Sequence, residues 1–169
     1  MNMNGSKFIR KEQAVDSVEI NTLYAKSFGP GRWAKSTFRY REKYDHLLDI
    51  SQVLTYQGKL IGSIRFWNIL VNNENSLLLG PIVMHRDFRG QGFGKELLEN
   101  SILNCKNLGH NLIILVGDLS YYSKVGFKRI GQKKILFEGP VNYERVLYIE
   151  FNESIIEQST DIKINKFID

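Results

Sequence analysis

The sequence predicts an α/β (α+β) fold, a single domain over residues 1–169 in which strands alternate with about four helices. Three observations lead there. Turn-bounded runs rich in Ile, Val, Leu, Tyr and Phe at 50–56, 59–70 and 77–84 have the length and composition of strands. The series Leu97, Leu98, Ser101, Ile102, Cys105, Leu108 has the spacing of one buried helix face. Between the two patterns stands Arg89-Gly90-Gln91-Gly92-Phe93-Gly94, a glycine-rich junction from strand to helix.

The elements follow in order. Phe8-Ile9-Arg10 starts a strand, and Val15, Val18, Ile20, Leu23 and Tyr24 suggest a helix over 14–28, broken by Gly29-Pro30-Gly31. A second helix is expected over about 34–43. Gln57-Gly58 joins the next two strands as a hairpin, and Asn72-Asn73-Glu74-Asn75 turns the chain into a third. The helix that opens near Gly94 ends at Gly109, a common left-handed terminator. Leu112-Ile113-Ile114-Leu115-Val116 is apolar throughout, which suits a central strand covered on both faces. A short helix near Ser120 follows, and then 130–137 and 145–151 are expected to form a final pair of strands. The core runs over about 7–151, and the tail 152–169 alternates charged residues with isoleucine, which leaves open an extra element, a homodimer contact or a partly disordered end.

Composition excludes several classes of protein. A chain of 169 residues has the size of one domain, and no apolar run approaches the roughly 20 residues that span a bilayer. The start Met1-Asn2-Met3-Asn4-Gly5-Ser6 lacks the apolar core of a secretory signal, so a cytoplasmic protein is expected. Cys105 is the one cysteine, which excludes an internal disulfide framework and any metal site built on several thiolates; no metal is expected. The net charge of +5 is spread along the chain without zinc-finger spacing, a basic arm or an RNA-binding sheet signature. A solvated basic face that attracts a polyanionic ligand explains it more simply than nucleic acid.

The glycine junction points to such a ligand. Glycines at alternate positions remove every second side chain, so anionic oxygens can reach amides at the opening turn of a helix, where no intrahelical partner exists. A dinucleotide fingerprint fails because Lys95 stands where its third glycine would be, and a Walker loop fails because Glu96 follows Gly94-Lys95 and position 89 is Arg. Arg89-x-x-Gly92-x-Gly94 remains, and it resembles the pyrophosphate motif of the GNAT superfamily of acetyl-CoA-dependent N-acetyltransferases. Tyr122, Lys124, Gly126 and Phe127 match a second pattern of that superfamily, Tyr-x-Lys-x-Gly-Phe on a short helix. Gly117-Asp118 before Tyr121-Tyr122, Phe28-Gly29-Pro30-Gly31-Arg32 and Glu138-Gly139-Pro140-Val141 are similar to a bacterial subgroup of small predicted N-acetyltransferases. The resemblance covers most of 7–151 and is strongest over 78–127.

This resemblance implies a mixed, mostly antiparallel central sheet of six to seven strands, with acetyl-CoA as cosubstrate. It places the diphosphate on Arg89, Gly90, Gln91, Gly92, Phe93, Gly94 and Lys95, and the pantetheine arm beside the backbone of Ile82, Val83 and Met84. Tyr122 would be the general acid that protonates the departing thiolate, with Tyr121 and Asp118 on the cofactor side, although capping of the short helix is the more frequent role for an Asp in the place of Asp118. The amine acceptor, a small molecule, peptide or protein, would lie between 28–44 and 135–143. Trp33, Phe38, Tyr40, Arg32 and Arg39 are the residues there that suit an aromatic or acidic ligand. The general base is not legible: His85, Glu74, His46 and Glu42 are each compatible with it, as is water. A non-catalytic acyl-CoA-binding module is the alternative reading.

Overall fold

The computed structural model describes residues 6–30, 36–42, 44–131, 133–152 and 154–167. Strand β1 (Lys7–Lys11) leads through a 3-10 turn (Ala14–Asp16) into α1 (Ser17–Phe28). A second 3-10 turn (Ser36–Tyr40) precedes β2 (Gln52–Tyr56), β3 (Lys59–Val71) and β4 (Glu74–Met84). Then come α2 (Phe93–Asn107), β5 (Leu112–Val116), α3 (Leu119–Tyr122), β6 (Lys128–Arg129), β7 (Lys134–Phe137), β8 (Val146–Glu150), α4 (Ile155–Gln158) and β9 (Asp161–Lys166).

The strands form one mixed sheet in the order β1-β2-β3-β4-β5-β8-β6, with β9 joining β3 to β7, nine strands among the described residues. It is mostly antiparallel; only β4–β5 and β7–β9 run parallel. Positive φ at both central residues of Gln57-Gly58 (49° and 76°) and Asn72-Asn73 (51° and 69°) gives the two hairpins the turn geometry that matches strand twist.

Alternation along the strands sorts side chains into two layers. Ile113 and Leu115 of β5, with Leu77 and Leu79 of β4, pack under Leu97, Leu98, Ile102 and Cys105 of α2. Leu112, Ile114 and Leu78 point the other way, into a layer closed by Ile156, Ile162 and Ile164 of the tail. β5 is therefore apolar on both faces because both are covered. Burial raises the Cys105 thiol to about 12, which fits a packing residue and not a nucleophile.

Three expectations are corrected, and one of the alternatives left open for the tail is found. The helix expected over 34–43 is a 3-10 turn over Ser36–Tyr40 among the described residues. Val15 and Val18 are both 79% exposed; α1 buries only Ile20, Leu23 and Tyr24 against Val53, Leu60 and Val83. The last strands do not pair with each other: β8 pairs with β5 and β6, while β7 pairs with β9. The tail is thus an integral element, because Ile162 and Ile164 alternate with Lys163 and Asn165 and drive β9 into the apolar layer beyond β3. No helix among the described residues is long and apolar enough to cross a membrane.

Ile164→Ala, which empties a site of 0% exposure, is expected to lower stability by about 2–5 kcal/mol. Val18→Ala is expected to stay within about 0.5 kcal/mol. Urea unfolding of both variants checks the contrast, and equal midpoints would contradict the assignment of the tail to the core.

Candidate active site

Gly92 is the N-cap of α2 and takes φ 86°, a left-handed conformation that costs an L side chain roughly 1–2 kcal/mol. The first helical hydrogen bond is Glu96 N–H to Gly92 O at 3.0 Å. Among the described residues the amides of Gly90, Gln91 and Gly92 donate to no acceptor, and those of Phe93, Gly94 and Lys95 have no helical turn before them. The charged side chains of this loop are turned to other partners. Arg89 donates from Nε to Met84 O at 3.0 Å and from Nη2 to Ser27 Oγ at 2.9 Å, which ties the loop to the end of β4 and to α1. Lys95 pairs with Glu99 on the outer face of α2 at 3.4 Å, and Gln91 Nε2 donates to Asp87 O at 2.8 Å. The anion-binding capacity here is therefore backbone amides plus the helix dipole, with Arg89 as the brace.

Beside this cradle the sheet opens. β4 pairs with β5 at Leu77–Ile113 and Leu78–Ile114 only, and beyond Leu78 the two strands part. A bulge on β4 accompanies the divergence: between the pairs Ile64–Ile82 and Phe66–Leu79, β3 has one residue and β4 has two, Gly80 and Pro81. On its other edge β4 stays paired, Val83 with Ser63 and Met84 with Gly62. Its edge toward β5 thus has no strand partner over 79–84 among the described residues, where side chains take up part of the backbone instead: Gly80 O accepts from Arg41, Pro81 O from Tyr24 and Met84 O from Arg89. The resulting cleft, about 180 Å³, is lined by Gly80, Pro81 and Ile82 on one side and Val116, Gly117 and Asp118 on the other. Phe28, Thr37, Arg41, Tyr122 and Arg145 complete it.

The two tyrosines of α3 flank the cleft differently. A Cβ placed on Gly94 would come within 3.1 Å of the Tyr121 hydroxyl and 3.3 Å of Met84 Cγ, so Tyr121 lies over the opening turn of α2. Tyr122 faces the cleft, its ring against Gly117 and edge-on to Phe127 at 5.8 Å between centroids. Among the described residues its hydroxyl has no hydrogen-bond partner. Burial first, then the nearby Tyr121 and Asp118, push the Tyr122 hydroxyl well above the ordinary tyrosine value, with Arg145 opposing weakly. Asp118 occupies the N-cap position of α3 but makes no side-chain cap bond; its carboxylate sits 3.3 Å from Arg145.

None of the four base candidates lines the cleft. His85 Nδ1 accepts from Asp87 N–H at 3.4 Å, and Glu74 opens β4 at the opposite end of the strand. Glu42 is exposed on the surface. His46 belongs to a structural cluster: its Nε2 is 2.9 Å from Glu12 Oε1, and Arg65 Nε donates to Glu12 Oε2 at 2.9 Å. Burial opposes the charge on Glu12, yet the hydrogen bonds from His46 and Arg65 outweigh it and hold the carboxyl below its usual range. Tyr40 is a core tether, donating to Ile164 O at 2.8 Å and accepting from Glu138 N–H at 2.6 Å. Phe38 is half-buried in the same turn, and Arg39 lies against Gly139. Arg32 and Trp33 lie outside the described residues. Sequence reasoning missed Arg41 and Arg145, which no local pattern singles out and which only the meeting of two distant loops brings to the cleft. Among the described residues no group of His, Cys, Asp and Glu is placed to hold a metal ion.

Residues 49–129 match the family model described as "Acetyltransferase (GNAT) domain". The Escherichia coli (strain K12) protein named "Uncharacterized N-acetyltransferase YhbS" is 29% identical over 123 residues, 71% of this chain and 72% of that protein. The crystal structure of Escherichia coli YhbS in complex with CoA superposes with a TM-score of 0.79 at 22% identity, over 96% of this chain and 92% of that one. A GNAT family acetyltransferase from Brucella melitensis in complex with acetyl-CoA gives a TM-score of 0.71 at 22% identity, over 96% of both chains. At these identities the two structures establish a shared fold.

A Cβ on Gly117 would lie 2.3 Å from Tyr122 Cε2, so Gly117→Ala must displace that ring. Such overpacking costs about 1–3 kcal/mol. NMR of the Tyr122 ring protons, with urea unfolding beside it, is expected to show a shifted ring in a folded protein; an unmoved ring would mean that Tyr122 is not held against this backbone.

Proposed function

From the match of residues 49–129 to the GNAT acetyltransferase domain model and from the cleft, we propose that the protein transfers an acetyl group from acetyl-CoA to a primary amine, by direct attack in a ternary complex with Tyr122 as general acid. The observation that carries this reading is the continuity of the site: donor-rich amides at the start of α2 lie beside Met84 and Tyr121, and from there the edge of β4 that lacks a strand partner leads to a cleft that Tyr122 lines. Bound acetyl-CoA would supply an acetyl thioester already reactive toward amines.

The amides of residues 90–95 and the α2 dipole would hold the diphosphate, each favourable charge at a helix N-terminus being worth roughly 0.3–1 kcal/mol or more when partly buried. The edge of β4 at Ile82, Val83 and Met84, which lacks a strand partner, would offer those backbone groups not held by Arg89 to an extended amide-bearing arm, so side-chain identity there matters little. Tyr121 would close the cradle over Gly94. Tyr122 would keep its proton on Oη until the sulfur leaves, since its raised pKa keeps it protonated well beyond neutral pH. With no carboxylate or imidazole of the four candidates in the cleft, positioning supplies most of the rate and the amine reacts as the neutral species, its proton passing to water.

Tyr122→Phe is expected to lower kcat about 100-fold while leaving CoA affinity by calorimetry within about twofold. Loss of CoA binding instead would recast Tyr122 as a structural residue, and unchanged kcat would remove it from the proton transfer. The pH profile follows from the same residues. kcat/KM should rise with pH to a break at the acceptor's own pKa, and the break should move when acceptors of different basicity are compared. Tyr122 acts in its protonated form, present below its pKa; because burial raises that pKa, no descending limb should appear near the ordinary tyrosine value of about 10. A break near pH 6.5 that ignores acceptor basicity would reveal a histidine base.

A further inference from the structure

Arg41 is a charge that the fold alone does not account for. It follows the turn Ser36–Tyr40, and its guanidinium lines the cleft with Gly80, Pro81, Ile82 and Tyr122. All of its hydrogen bonds among the described residues go to neutral acceptors: Nε to Thr37 O at 3.2 Å, Nη2 to Thr37 Oγ1 at 3.0 Å and Nη1 to Gly80 O at 3.4 Å. One face is covered by Trp67, whose ring centroid is 5.3 Å from Cζ. Among the described residues no carboxylate stands within ion-pair distance of it, whereas Arg145, the other arginine of the cleft, has Asp118 at 3.3 Å. Burial pushes the Arg41 guanidinium down to about 10, the direction expected of a cation held away from water without a counter-ion. It remains charged at neutral pH.

Taking a guanidinium out of water without an anion is costly, and its planar fork matches a carboxylate with two parallel donors. The weakest of its bonds, Nη1 to Gly80 O, lies at the bulge of β4 and is the corner that a better acceptor would take over. We propose that Arg41 recognises the acceptor, and that the amine acetylated in this cleft also bears a carboxylate, which binds the Arg41 guanidinium. Arg145 and Asp118 balance each other, so the lining of the cleft leaves the single positive charge of Arg41, which a carboxylate matches and a phosphate with nearly two charges exceeds. The inference rests on the acetyltransferase reading for the position of the amine, but not for the anion preference of Arg41.

Calorimetry tests it without turnover. Protein saturated with CoA is titrated with N-acetylated amino acids, the expected product class, and with their amides. The acids should bind about tenfold tighter or more, the effect of a charge-assisted pair of hydrogen bonds. Arg41→Gln should erase that preference and Arg41→Lys, which keeps the charge but not the fork, should retain part of it, with melting curves confirming that each variant is folded. Equal affinity for acid and amide, no binding of either, or a preference that survives Arg41→Gln overturns the proposal. Acetyl transfer to amino acids, their amides and short peptides with a free C-terminus then separates free amino acids from peptides as the source of the carboxylate. No transfer to any amine by a protein that binds CoA would end the catalytic reading, while the acid-to-amide binding ratio decides the role of Arg41 independently.

Discussion

The separation of β4 from β5 after two residue pairs is the constraint on which the rest of this structure depends. Two parallel strands that stayed paired to their ends would bury the backbone groups that now line the cleft. They part because the bulge at Gly80-Pro81 turns β4 while β3 keeps it paired on its other edge. The layer of α2 stabilises this unpaired geometry from one face: Leu97, Leu98 and Ile102, each worth roughly 1.5–3 kcal/mol when buried, hold the two strands where they still meet. The opposite layer, closed by the tail strand β9, holds them from the other.

Around the opening, charges and dipoles are divided by location. At the start of α2 the available positive potential comes from amides, because Arg89 is spent on Met84 O and Ser27 and Lys95 on Glu99. Backbone donors fixed by Gly92 do not need to be reorganised when an anion arrives, and a flexible lysine would. Within the cleft the Asp118–Arg145 pair neutralises itself near the surface, which leaves Arg41 as the cation there with neutral partners among the described residues. Tyr122 lines the same cleft, uncharged and short of hydrogen bonds among the described residues. The site thus combines amide donors at one end with a guanidinium and a phenol in the cleft, the groups that the proposed acetyl transfer would use.

Much of the fold was legible because it is written in local patterns. The hairpins follow from Gln57-Gly58 and Asn72-Asn73, α2 from its apolar stripe, and β5 from an unbroken apolar run. The last third was less legible. The residues of β7 and β8 carry strand composition, but composition does not say which strand is the neighbour, and β7 finds its partner in β9, more than twenty positions later. The valines at 15 and 18 misled for a related reason: apolar residues mark a helix face only when another element comes to cover it, and none does.

The sequence by itself determined the cradle, since left-handed glycine at a strand-to-helix junction and a free helix N-terminus are consequences of neighbouring residues. It also determined the pair Tyr121-Tyr122 and the burial of Cys105. Only the tertiary structure decided that Arg89 braces the loop, that Tyr121 covers Gly94 while Tyr122 enters the cleft, that His46 and Glu12 belong to a buried cluster with Arg65, and that Arg41 reaches the cleft at all. Each of these depends on contacts between segments far apart in the chain, whose meeting is set by how whole strands pair and pack, and no pattern within a dozen residues contains that information.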